Sequence, residues 1–360
     1  MTKSNPEAPD RAWLDVDLGA IVRNARRFQQ LIGAPLLPMV KADAYGVGAV
    51  PVTRALEAVD PWGYGVAVPG EGLTLRGAGI SRPILVFTPL DPRQIPEFRA
   101  ARLRPVIGDL PALDAWLAAK AGPFHVEIDT GMSRAGFRWQ DEATIAALAV
   151  RLRGVDDWEG IFTHFHSVDT DEKATREQVT RFEQVVKALD SRPPLVHLSS
   201  SAAAQHGHEF GGDLARPGIY LYGARAGNLE PEPAVKLCAR VVAVRRVRRG
   251  DTVSYGATTE VKTDTTIATI GIGYGDGVPR AMAARGRVEL GGRTVAIVGR
   301  VTMDMVMVDT GEVPVSIGDT AVVFGGLVTL DEQASLAGTI SYELLTLLTP
   351  RVTRRYRSGT

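Results

Sequence analysis

The chain has 360 residues, enough for two domains with sizeable cores, and its 41 Lys plus Arg balance 41 Asp plus Glu, so no net field favours nucleic acid or an anionic membrane. A single cysteine, Cys238, excludes an internal disulfide and fits a reducing compartment. The stretch to Asp10 is polar with no signal-like apolar core, and no apolar run approaches the roughly 18 residues of a membrane span, so the expectation is a cytoplasmic protein with a small-molecule partner.

Residues 1–12 read as a polar tail. From residue 36 to about 222, short apolar runs at 36–40, 64–68, 84–87, 104–107, 124–128, 159–163 and 195–198 alternate with helical patterns such as 110–120, 141–152 and 173–189. An eighth run fits either 213–216 or 219–222. Strands alternating with helices predict a parallel sheet, and about eight of them predict a closed (β/α)₈ barrel of the TIM type. After Pro233 the texture becomes β-branched and turn-rich, with runs at 238–247, 265–272, 287–290, 294–297 and 320–324, which predicts a mostly antiparallel β domain. Residues 342–348 read as a short helix stopped by Pro350. The division that follows is a barrel over 13–233 and a C-terminal β domain over 234–360.

Chemistry on such a barrel gathers at the C-terminal ends of its strands. Lys41 falls there after the first run, where partial desolvation frees its amine for a Schiff base; a lysine snorkelling to the surface has the same spacing. Ser199-Ser200-Ser201 precede what reads as a helix N-terminus and, with Gly218, fall where barrels often bind phosphate, although an ordinary N-cap would look alike. His164 and His166 share one face of an extended segment and could chelate a metal, but further ligands are not evident.

Together these segments resemble the alanine racemase family from about Trp13 to Arg355. Val40-Lys41-Ala42-Asp43-Ala44-Tyr45-Gly46 resembles the family's cofactor-lysine signature, which implies pyridoxal 5'-phosphate on Lys41. The segment from Asp129 to Gly136 resembles the one whose arginine, here Arg134, contacts the substrate carboxylate. Val253-Ser254-Tyr255-Gly256 resembles the segment with a second catalytic base, here Tyr255, and Gly299 to Asp304 the one whose methionine, here Met303, helps bind substrate. The resemblance further implies that Tyr45, Ser201, Gly218 and Ile219 hold the cofactor phosphate. It places Arg216 opposite the pyridine nitrogen, with His197 and His164 in a hydrogen-bond chain around that arginine and no metal.

Three positions depart from the family pattern. Val47 stands where histidine is common, Thr302 where cysteine is frequent, and Glu127 where many members carry a carbamylated lysine. A glutamate there would supply the negative charge to Arg134 without the modification.

The implied activity is racemisation of a small amino acid, L- to D-alanine and back, supplying D-alanine for peptidoglycan. It needs bases on both faces of the α-carbon: Lys41 for the D enantiomer and Tyr255 for the L. Arg216 can only donate, which would leave the pyridine nitrogen unprotonated. In the family the two bases meet across a homodimer interface. A serine or broad-specificity racemase of the same fold is the nearest rival, followed by a non-catalytic pyridoxal-phosphate carrier and a metal-dependent barrel hydrolase using His164 and His166.

Overall fold

A computed structural model of the chain describes residues 10–358, apart from the side chains of His208 and Glu209; most of the polar tail lies outside the described residues. Six parallel strands lie in chain order: Tyr64–Val66, Ile84–Pro89, Arg104–Ile107, Phe124–Asp129, Trp158–Phe162 and Leu195–His197. Their apolar residues are mostly buried, on both faces, as parallel strands require, and the polar residues among them, such as His125 and Glu127, are themselves buried.

The ring is closed by thinner contacts. Parallel bridges join Met39 to Gly65, Leu36 to Ala215 and Ser200 to Arg216, with Leu37 N–H donating to Ala215 at 2.7 Å and Met39 N–H to Pro217 at 2.8 Å. The eighth position is therefore the segment around Ala215, whereas Ile219–Tyr222 is a 3₁₀ turn. Helices Glu142–Leu152 and Glu172–Ala188 pack outside the ring, each started by an aspartate (Asp141, Asp171) that accepts a backbone N–H of its first turn.

The second sheet closes on itself. Val235–Val247, Thr265–Ile270, Val306–Asp309, Arg293–Val298, Arg287–Leu290 and Thr320–Phe324 form an antiparallel ring, the first strand pairing with both the second and the last. Val306–Asp309 and the helix Leu330–Ala337 add to the elements expected from sequence, and the last helix runs Ser341–Thr346.

The N-terminal strand Ala12–Asp17, expected with the barrel, instead pairs antiparallel with Val235–Val247 and parallel with the C-terminal strand Thr353–Arg357. Its Leu14 and Val16 are fully buried, so its apolar face is satisfied by the β layer. Among the described residues, no helix is long and apolar enough to cross a membrane.

Candidate active site

Lys41 begins a single turn of backbone, Lys41–Tyr45, that winds the wrong way. Ala42, Asp43, Ala44 and Tyr45 have φ of 52, 54, 54 and 58°, a left-handed conformation costing L-residues about 1–2 kcal/mol each. The turn persists because its surroundings hold it. Ala44 and Gly46 donate to Val40 and Ala42 at 2.8 and 2.7 Å, and Asp43 Oδ1 accepts Ala49 N–H at 2.7 Å. Glu71 accepts Ala42 N–H at 2.6 Å with one oxygen and Ala67 N–H at 2.7 Å with the other. From the C-terminal strand, Arg354 donates to Gly46 O and the Tyr356 hydroxyl to Val47 O. Val47 is fully buried there.

The turn brings both Lys41 and Tyr45 to the wall of a cavity of about 490 Å³ at the C-terminal ends of the strands. Burial, then the charge of Arg134, pushes the Lys41 ammonium below the usual lysine range, and Glu71 opposes them.

At one end of the cavity Tyr45, Ser201 and Gly218 converge. The Ser201 hydroxyl accepts Gly218 N–H at 2.7 Å, and a Cβ on Gly218 would lie 2.4 Å from the Tyr45 hydroxyl, so only glycine leaves this cradle open. Gly218 leads into the 3₁₀ turn Ile219–Tyr222, whose first amide, that of Ile219, has no partner within the turn. Residues 201–202 form an ordinary turn before 3₁₀ structure begins at Ala203.

Arg216 lines the cavity and is 4% exposed. Its NH1 donates to His197 Nδ1 and to His197 O, both at 2.7 Å, and its NH2 donates to Thr163 O and Leu198 O at 2.9 and 3.1 Å. The guanidinium also lies over the Phe162 ring, 5.1 Å from its centroid. Burial lowers its pKa to about 9. Four of its five N–H groups are thus committed to protein, and the Nε–H is left.

The chain behind Arg216 contains His197 but not His164. His197 Nε2 is 2.9 Å from His125 Nδ1 instead. His164 stands in the cavity wall, where burial pushes its pKa down to about 3, and His166 is exposed against Ser167. The two imidazoles therefore do not face one point.

Glu127, 5% exposed, faces the same cavity. Its Oε1 lies 4.0 Å from Arg134 NH2. Burial raises its pKa, with Arg134 and Arg216 opposing. Asp129, two residues on, is occupied in shaping the loop, its Oδ1 accepting Gly131 and Ser133 N–H at 3.0 Å each.

Tyr255 and Met303 do not line this chain's cavity. They stand on the β domain, 70% and 51% exposed, with Tyr274 and Met305 also exposed. The Met303 loop is nevertheless fixed. Gly275 N–H donates to Met303 O, the Thr302 hydroxyl closes onto Met305 O at 2.8 Å, and Arg351 pairs with Asp304 at 2.5 Å. Thr302 is thus a turn-forming residue.

Sequence reasoning missed His125, Glu71 and Tyr342. The Tyr342 ring tilts against Tyr45 at 5.8 Å in the cavity wall, its hydroxyl pushed to about 12 by burial.

Comparison with known proteins gives the context for this geometry. Residues 16–226 match the model of the alanine racemase N-terminal domain and 234–356 that of the C-terminal domain. An alanine racemase of Halothermothrix orenii is 35% identical over 367 residues, covering 96% of this chain and 97% of the relative. Among solved structures, alanine racemase from E. faecalis superposes with a TM-score of 0.89 at 32% identity, covering 97% of this chain and 98% of that one. That from Bartonella henselae, with covalently bound pyridoxal phosphate, gives 0.91 at 27% identity, covering 97% and 100%.

Proposed function

The chain belongs to the alanine racemase family, and we propose that it interconverts L- and D-alanine by two-base proton transfer with pyridoxal phosphate held on Lys41. The observation that carries this reading is Arg216. With four N–H groups bonded to protein, its remaining Nε–H is the donor a pyridine nitrogen would meet.

The other residues fit the group as well. The Tyr45–Ser201–Gly218 cradle and the open Ile219 amide would hold its phosphate. The Lys41 amine, its pKa lowered by burial, would anchor it. When bound, pyridoxal phosphate supplies an electron sink for negative charge at the substrate α-carbon. An arginine opposite the ring keeps that sink weak, because guanidinium donates a hydrogen bond without giving up its proton.

Arg134 would orient the substrate carboxylate, with Glu127 supplying the charge that holds the guanidinium. Lys41 would hold or release a proton on one face of the α-carbon and Tyr255 on the other. Tyr255 and Met303 are exposed and outside this cavity; a second copy of the chain would bring them to it, making the homodimer part of the machinery. With one cysteine and no membrane-spanning helix among the described residues, the enzyme would supply D-alanine for peptidoglycan from the cytoplasm.

The test is spectroscopic. Purified enzyme should carry a visible cofactor band that borohydride abolishes, and peptide mapping should find the reduced pyridoxyl group on Lys41. Its recovery on another lysine would sink the assignment.

A further inference from the structure

The hydrogen bonds behind Arg216 do not stop at His197. His125 Nδ1 lies 2.9 Å from His197 Nε2, and His125 Nε2 lies 3.3 Å from Glu159 Oε2. Arg104 closes the far end, its Nε 2.5 Å from the same oxygen and its NH2 3.1 Å from Oε1. Glu159 and Arg104 stand at the beginnings of their strands, opposite the cavity, and neither lines it. The relay therefore runs down the barrel interior. Room for it is made by Gly160, where a Cβ would fall 2.3 Å from His125 Nδ1, and Phe162 stacks on His197 at 4.8 Å.

Its direction is fixed by elementary chemistry. A guanidinium has no acceptor, so His197 Nδ1 must accept from Arg216 and His197 carries its proton on Nε2. That proton points at His125 Nδ1, which must also be bare, leaving the His125 proton on Nε2 toward Glu159. Both imidazoles are fully buried, and burial favours their neutral forms. Burial pushes the Glu159 carboxyl up, but its bonds to His125 and Arg104 outweigh this and keep it ionised.

We propose that His125 and Glu159 are positioning residues for Arg216: they present a carboxylate's charge, through two imidazoles of fixed tautomer, to the face of the guanidinium turned away from the cavity. An imidazole that donates to a strong acceptor is itself a stronger acceptor at its other nitrogen. Each link thus draws Arg216 toward His197 and holds the proton on the guanidinium rather than on the group that meets its Nε–H. This rests on the reading that Arg216 faces the cofactor ring. Without the Glu159 charge the Nε–H becomes a better acid and the ring a stronger electron sink.

Two measurements test this separately from that reading. Nitrogen-15 NMR of histidine-labelled protein without cofactor should show two neutral imidazoles protonated at Nε2, assigned with single His125→Gln and His197→Gln variants. A proton on Nδ1 of either, or a charged ring, overturns the relay whatever Arg216 faces. In the holoenzyme, Glu159→Gln should shift the visible cofactor band and raise transamination relative to racemisation, as a stronger electron sink would, with KM for alanine unchanged. Glu159→Asp, which keeps the charge but loses more packing than the isosteric glutamine, should leave the band closer to its wild-type position than Glu159→Gln does. A shift in Glu159→Asp as large as in Glu159→Gln, or none in either, overturns the proposal, because loss of packing alone would disturb the shorter aspartate more than the isosteric glutamine.

Discussion

Replacing Glu127 by glutamine removes one charge and almost no volume, so it isolates the electrostatic hold on Arg134. The two groups are 4.0 Å apart. At that distance opposite charges attract by about 1 kcal/mol in bulk water and about 4 kcal/mol at an effective dielectric of 20. The Glu127 side chain is 7% exposed but that of Arg134 is 57% exposed, which brings the value toward the lower figure. A net loss of roughly 1–2 kcal/mol corresponds to about a 5- to 30-fold drop in kcat/KM. Asp129 is turned to the loop instead, its Oδ1 accepting Gly131 and Ser133 N–H. Initial rates of L- to D-alanine conversion should show the loss mainly in KM, with the cofactor spectrum intact. Burial raises the Glu127 pKa, so its charge is lost at a higher pH than an ordinary glutamate's, and wild-type kcat/KM should fall on an acid limb that the variant lacks. Wild-type activity should be indifferent to bicarbonate, and Glu127→Lys should become sensitive to carbon dioxide. Unchanged kcat and KM in Glu127→Gln, at limiting and saturating alanine alike, would refute the role.

Because burial lowers the Lys41 pKa, apoprotein should form the visible cofactor band fastest above an inflection below the ordinary lysine value of about 10.4; an inflection at or above that value would refute a desolvated amine. Inactive Lys41→Ala and inactive Tyr255→Phe chains, mixed and re-associated, should recover part of the activity in hybrid dimers, and none in confirmed hybrids would place the site within one chain. Glu71→Ala strips the acceptor from the Ala42 and Ala67 amides, each a loss of about 1–3 kcal/mol if left unpaired; the melting temperature should fall by several degrees and cofactor affinity should weaken with it. An unchanged melting curve would mean that the left-handed turn stands without Glu71.

The parts of the fold visible in the chain were those carried by local pattern. Short apolar runs marked the six regular barrel strands, and the change after Pro233 marked the antiparallel ring. The eighth position was ambiguous because both 213–216 and 219–222 read as extended, and only the bridges to Leu36 and Ser200 decide between them. The strand Ala12–Asp17 alternates as well as any, but nothing local says that its neighbours lie more than 200 residues away. His125 sits between Phe124 and Val126 in an apolar strand and reads as packing; its partner is 72 residues on. Glu71, three residues after Val68, reads as a helix-capping glutamate, and it does bond the Val68 N–H, but its other oxygen crosses to Ala42. Lys41, Tyr45, Ser201, Arg216 and Gly218 were legible because a short segment of chain carries each together with its context.

The wrong-handed turn at Lys41 explains why the two sheets are built as one object. Four left-handed residues cost about 4–8 kcal/mol in all. Eight hydrogen bonds restrain the turn and its exit: four within the backbone, one each from Glu71 and Asp43, and one each from Arg354 and Tyr356. At about 0.5–1.5 kcal/mol net apiece they offset roughly 4–12 kcal/mol. The balance is close enough that the last two matter, and both come from the C-terminal strand, more than 300 residues from the turn. That strand can reach Gly46 and Val47 only because it lies in register beside Ala12–Asp17, which in turn lies beside Val235–Val247. The N-terminal strand thus joins the β layer for a reason located in the barrel: it carries the clamp that holds the site lysine in a conformation the local chain would not keep unaided.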